Sequence, residues 1–306
     1  MSKAILDPAR AYAAVHELEL DAAGLLARTA VVFLTNRQCP FTCVMCDLWI
    51  NTLDDPLPAG VIPQQIRAAL ATLPAARQIK LYNAGSFFDP RAVPESDYDA
   101  VANALAGIPR VIVESHPALI GHRVDRFIAA LDSGVALEVA MGLETAHPDA
   151  LERLNKRITV ASFADAAAAL RVRDVALRVF LLISPPFVPQ AEQDEWLERS
   201  VQAAFECGAS VVSLIPTRAG NGTLEALAVE GSFAGPSFED VERSAALALT
   251  AADGRGRVLV DLWDLERFAA GAPGAGERRA RLAAMNLAQQ VLPPHACPAC
   301  AGAATT

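Results

Sequence analysis

Three cysteines on one short loop, Cys39-Pro-Phe-Thr-Cys43-Val-Met-Cys46, are the residues of this sequence best suited to chemistry. In a Cys-x3-Cys-x2-Cys spacing, three thiolates can converge on one metal centre without help from distant residues. A structural zinc site usually closes with four ligands, and no fourth Cys or His stands close by. The open position suits a cubane [4Fe–4S] cluster, in which one iron without a protein ligand can take up a small molecule. Two plainer readings share these residues: a zinc-stabilised binding module with a remote fourth ligand, and three buried thiols that hold nothing.

Other polar groups recur where short apolar runs end. Asn83-Ala84-Gly85-Ser86 follows one run, Glu114-Ser115-His116 the next, then Gly142-Leu143-Glu144-Thr145, Ser184-Pro185-Pro186 and Thr217-Arg218 with Gly220-Asn221-Gly222. The runs are β-branched: Thr29–Thr35, Arg77–Asn83, Arg110–Ser115, Ala136–Gly142, Ala176–Ser184, Ser210–Pro216 and Arg257–Leu262. Between them lie Ala-, Leu- and Arg-rich stretches with helical spacing, which predicts parallel βαβ units. Polar residues after nearly every strand suit a barrel mouth, whereas an open doubly wound sheet concentrates its ligands at one switch point. The expected fold is therefore α/β, a partial (β/α) barrel of the TIM type. Residues 8–27 read as a preceding helix. The chain divides into an N-terminal helical segment (1–28), the barrel (29–265), and a C-terminal helix with a Cys-containing tail (266–306).

Composition narrows the partners. The 306 residues are 53% hydrophobic and 20% charged, with a net charge of −9. That length buries a substantial core, and an acidic surface needs a local basic patch before it can hold a phosphate backbone. Lysine occurs only at positions 3, 80 and 156. No signal-like N-terminus and no membrane-length apolar run is present, so a cytoplasmic protein without membrane contact is expected. Six cysteines in so long a chain are not a disulfide framework, and in a reducing compartment clustered cysteines serve as ligands.

The cysteine spacing is the signature of the radical S-adenosylmethionine (SAM) superfamily, and the resemblance extends over nearly residues 29–240. Lys80-Leu-Tyr-Asn-Ala-Gly-Ser-Phe-Phe-Asp-Pro90 looks like the superfamily's second-strand motif for the SAM amino group. Val111-Ile-Val-Glu-Ser-His-Pro117 resembles its third-strand motif. Glu138–Thr145 with Leu154-Asn-Lys-Arg157 is similar to the pattern of methylthiotransferase- and elongator-type members. With Phe180–Phe187 and Gly220-Asn-Gly-Thr223, these look most like the branch containing the radical SAM subunit of archaeosine synthase. A methylthiotransferase would bring a further cysteine-rich domain, which this sequence lacks.

The resemblance implies that Cys39, Cys43 and Cys46 hold the cluster and that SAM chelates its open iron. Reductive cleavage then releases a 5′-deoxyadenosyl radical, the electron arriving from a donor such as flavodoxin or ferredoxin. Met45, Gly85, Ser86, Glu114, Ser115, Gly142, Glu144, Lys156 and Arg178 are the candidate SAM contacts. Glu114 could equally cap a helix, Glu144 could pair with Lys156 or Arg157, and Arg178 could turn outward. Arg218 and Asn221 are candidate substrate contacts, while His116, His122 and His147 read as capping or surface residues. His295, Cys297 and Cys300 could form half of a second metal site or an unused tail. The implied substrate is a modified nucleoside in tRNA. A small molecule or peptide of a natural-product pathway is the alternative.

Overall fold

Alternation along the strands decides what faces what. The computed structural model describes residues 2–269 and 273–294. In chain order the elements are β1 (Ala13–Leu20), β2 (Leu26–Phe33), α1 (Val61–Leu70), β3 (Gln78–Tyr82), α2 (Tyr98–Ala104), β4 (Arg110–Glu114), α3 (His122–Ala130) and β5 (Ala136–Glu144). They continue with α4 (Pro148–Arg153), α5 (Val160–Val172), β6 (Ala176–Ile183), α6 (Gln193–Glu206), β7 (Ala209–Pro216), α7 (Thr223–Val229), α8 (Phe238–Ala252), β8 (Arg257–Val260) and α9 (Ala275–Ala288). One side of each parallel strand, including Val32, Leu81, Val113, Val139, Val179, Val212 and Val260, joins the core beneath the helices. Intervening residues such as Lys80, Glu138 and Arg178 face the concave side, as the period of two requires.

The eight strands lie in sequential order, β1 antiparallel to β2 and all later neighbours parallel. Among the described residues no pair closes β8 onto β1, so the sheet is a half-barrel. The seven runs expected as strands form β2 to β8. Helix α9 covers the open edge: Asn286 and Gln289 each exchange two hydrogen bonds with the backbone of Val260 and Val258. An exposed row of strand amides is thereby satisfied.

The N-terminal helix expected over residues 8–27 is instead a hairpin. Ala13 pairs with Phe33 and Leu20 with Leu26. At the turn the Asp21 carboxylate accepts from the Ala23 and Leu25 amides at 2.9 and 3.0 Å. Ala and Leu content suggested a helix, but Glu17 and Glu19 alternate with His16 and Leu18, and the backbone of β2 supplies the partners.

Charges near the strands' N-terminal ends form the floor of the half-barrel. Lys80 contacts Glu17 and Glu19 at 2.5 Å, and Arg178 contacts Glu19 at 2.5 Å and Glu138 at 2.6 Å. Arg110 also pairs with Glu138. This corrects the expectation for Arg178: it does face inward, but its guanidinium is buried and spent on two carboxylates, so it is not free for SAM. A buried charge must be paired, and Glu19 lies 159 residues away in sequence.

Candidate functional site

The cysteine loop leaves the mouth end of β2, and loops following three other strands hold it. After α4, the Leu154 carbonyl accepts from the Val44 amide at 3.0 Å. Asn155 Nδ2 donates to the Thr42 carbonyl at 2.9 Å and to its Oγ1 at 3.0 Å. After β7, Asn221 Nδ2 donates to the Val44 carbonyl at 2.7 Å and the Cys46 carbonyl at 3.3 Å. After β4, the His116 ring stacks on Phe41, with centroids 3.6 Å apart and planes 10° from parallel.

His116 is itself fixed. Its Nδ1 accepts from the Ala118 amide at 3.1 Å, so Nε2 carries the proton and donates to the Lys156 carbonyl at 2.8 Å. Burial lowers its pKa to about 4, so the ring is neutral. Its backbone N–H donates to Ser86 Oγ at 2.9 Å. It is thus a cap and a platform, as expected, as is His147, which accepts from the Ala150 amide at 3.3 Å.

The candidate SAM contacts other than Arg178 gather around this loop. A β-carbon added to Gly85 would sit 3.3 Å from Cβ of Cys39, so glycine permits the close approach. Glu114 does not cap a helix. Its carboxylate faces the successive amides of Asn83, Ala84 and Gly85, the Asn83 N–H donating to it directly. Burial nonetheless outweighs these donors and raises its pKa to about 7. Ser115 is buried beside His116, and Met45 is half-buried. Glu144 and Lys156 form a buried ion pair. A β-carbon on Gly142 would overlap both charged groups. Lys156 is also the cation that opposes the burial of Cys43 and Cys46.

Of the candidate substrate contacts, Arg218 is held by Asp261 at 2.6 Å and by the Trp263 carbonyl at 2.5 Å. The Asn221 amide is committed to the cysteine loop and to α7, so it faces no substrate directly. His295, Cys297 and Cys300 lie outside the described residues.

Sequence reasoning missed the lumen's aromatic lining. Phe33 lies 6.1 Å from Tyr82, which meets Phe180 at 6.0 Å between β3 and β6. Tyr12 and Trp263 lie 5.6 and 5.7 Å from Phe33. These rings keep accessible surface, Trp263 being 54% exposed, whereas Phe87, Phe127 and Phe163 in the core keep none. Only the period of two along each strand could have put Phe33, Tyr82 and Phe180 on one face. Phe41 and Asn155 stand inside quoted motifs, but their roles were missed, because a stacking contact and a bond to a backbone carbonyl do not show in residue type.

The donor set is three thiols that only a strong positive centre would ionise. Burial pushes the Cys39 and Cys43 thiols up to about 11 and Cys46 up to about 12. Such thiols ionise only against a strong positive centre, and a coordinating metal supplies one. A tetrahedral zinc ion, with bonds of about 2.3 Å, draws its sulfurs to within roughly 4 Å of one another. Among the described residues, no three His, Cys, Asp or Glu side chains group closely enough for one metal ion. A cubane puts each thiolate on a different iron and so spaces the three more widely. Polar groups nearby also lack partners: both side-chain atoms of buried Asn83, and Asn36 Oδ1.

No protein-family model matches the chain. Archaeosine synthase subunit beta of Methanosarcina acetivorans is 26% identical over 225 residues, 70% of this chain and 64% of that protein. Among solved structures, Elp3 of Methanocaldococcus infernus superposes with a TM-score of 0.51 at 14% identity, over 63% of this chain and 51% of that one. The Escherichia coli coproporphyrinogen III oxidase HemN, described as a radical SAM enzyme, gives a TM-score of 0.50 at 11% identity, over 73% of this chain and 53% of that one. The chain thus spans less than two thirds of the length of each. At such identities the two structures speak for the fold, an open α/β half-barrel. Motif, fold and sequence relative agree in what the chain resembles, the radical SAM superfamily of enzymes.

Proposed function

We propose that Cys39, Cys43 and Cys46 hold a [4Fe–4S] cluster, that SAM completes it, and that the enzyme modifies a planar ring in the lumen, a tRNA nucleobase first among candidates. One observation carries this reading: three thiols on a loop pinned from β4, β5 and β7, over a lumen lined with accessible aromatic rings. When bound, cluster and SAM supply reductive carbon–sulfur cleavage and a 5′-deoxyadenosyl radical. The chain's own part is position and exclusion of water. Gly85 lets backbone approach the cysteines, and Ser86, Glu114, Ser115 and Met45 border the place where SAM would lie. Gly142 keeps the Glu144–Lys156 pair intact behind Cys43. Tyr12, Phe33, Tyr82, Phe180 and Trp263 offer flat faces to a ring, and stacking on such faces is tolerant of base identity.

The archaeosine synthase relative supports a tRNA nucleoside, and the name "subunit beta" supports a second subunit. The net charge of −9 favours the other reading, a small aromatic molecule without a polyanion. A gel shift with bulk tRNA separates them: binding that weakens steeply with salt supports the first, and no shift at low salt supports the second. A donor such as flavodoxin or ferredoxin and a cytoplasmic location belong to the same proposal. Among the described residues, no helix is long and apolar enough to cross a membrane.

The central test is anaerobic. Reconstituted protein should carry four irons and four sulfides and form 5′-deoxyadenosine from SAM on reduction. Cys43→Ala should lose both. Stoichiometric zinc in place of iron, or deoxyadenosine from the variant, sinks the assignment.

A further inference from the structure

The amide of Asn221 works in two directions. Its Oδ1 accepts from the Thr223 and Leu224 amides at 2.9 and 3.0 Å and so caps α7. Its Nδ2 donates to the carbonyls of Val44 and Cys46, the two residues that flank Met45. The bond to Cys46 reaches the backbone of the most buried of the three thiols, and Asn221 lies 175 residues away in sequence. Gly222, at φ 85°, takes up the left-handed turn that lets one side chain face both ways.

We propose that Asn221 is a positioning residue for the cluster: it fixes the Val44–Cys46 carbonyls, and through them the orientation of Cys46 Sγ. The inference rests on the cluster assignment above. It also couples two parts of the mouth, since the loop that carries Arg218 and the loop that carries the cysteines share this one amide. Groups that orient metal ligands from behind typically change metal retention by about 10–100-fold when removed.

Asn221→Asp separates the two roles. A carboxylate still accepts from the α7 amides, but it cannot donate, and it sets a negative charge against two carbonyl oxygens. The variant should fold with the wild-type circular dichroism spectrum and load four irons. It should then lose iron to a chelator about 10–100-fold faster, with an altered electron paramagnetic resonance signal of the reduced cluster. Amide exchange of residues 43–46 in the metal-free variant should rise above wild type, a readout that needs no cluster. Asn221→Gln, which keeps the donor, should recover part of the retention. Wild-type retention, signal and exchange in Asn221→Asp would overturn the inference while leaving the cluster assignment intact. A wild-type chain that loads no iron would overturn the assignment itself, and this proposal with it.

Discussion

The floor and the mouth of the half-barrel both bury charge, and they do so in opposite ways. At the floor Lys80, Arg110, Arg178, Glu19 and Glu138 each meet an opposite charge. Burial alone would neutralise Glu19 and Glu138, but Arg178, with Lys80 or Arg110, holds both well below the usual carboxylate range. At the mouth, the Glu144–Lys156 pair apart, burial prevails. Glu114 rises to about 7, the thiols rise to about 11 and 12, and neutral His116 falls to about 4. A region whose charges satisfy one another is scaffold. One whose polar groups are pushed towards neutrality, with the Asn83 side chain unpartnered, is a candidate site.

Three substitutions test that contrast. The largest effect belongs to the floor. Glu138→Ala should cost about 3–5 kcal/mol in urea unfolding, because Arg178 and Arg110 would lose the carboxylate between them. Whatever folds should still load iron, and a cluster lost selectively would show that the two regions are not separate. Gly142→Ala at the mouth should cost less, about 1–3 kcal/mol of crowding, but should lower iron retention as Lys156 is displaced from Cys43. The third effect concerns pH. A carboxyl at about 7 in the fold and 4.5 when unfolded favours the native state below pH 4.5 and withdraws that support as pH rises through 7. Glu19 works oppositely, its contribution being full above pH 4.5 and lost on acidification. Glu114→Gln should therefore flatten the stability profile between about pH 4.5 and 7 by up to roughly 1.4 kcal/mol per pH unit. An unchanged slope would mean that Glu114 is ionised in the fold.

What could be read in advance follows from range. The parallel strands and the cysteine loop are local patterns, and each was legible in a window of a few residues. The pairing of Glu144 with Lys156, twelve residues apart, was foreseen as one of two possibilities. For Arg178 an inward course was one of two possibilities, but its partner arrives from β1, and β1 itself was hidden because Ala13, Ala14 and Leu18 suit a helix as well as a strand. Asn221 was assigned to the right place with the wrong partner, since a backbone carbonyl as acceptor carries no residue identity.

The antiparallel course of β1 has a practical consequence. Entering at the top, just after Tyr12 of the aromatic lining, and leaving at the bottom, this one strand lends Glu19 to Lys80 and Arg178 beneath it. A shortened chain starting at Leu26 would look like a tidy trimming of a poorly patterned leader. It would in fact strip one wall from the lumen and leave Lys80 without a counter-charge and Arg178 with Glu138 alone, so any shortened version should keep the first twenty-five residues.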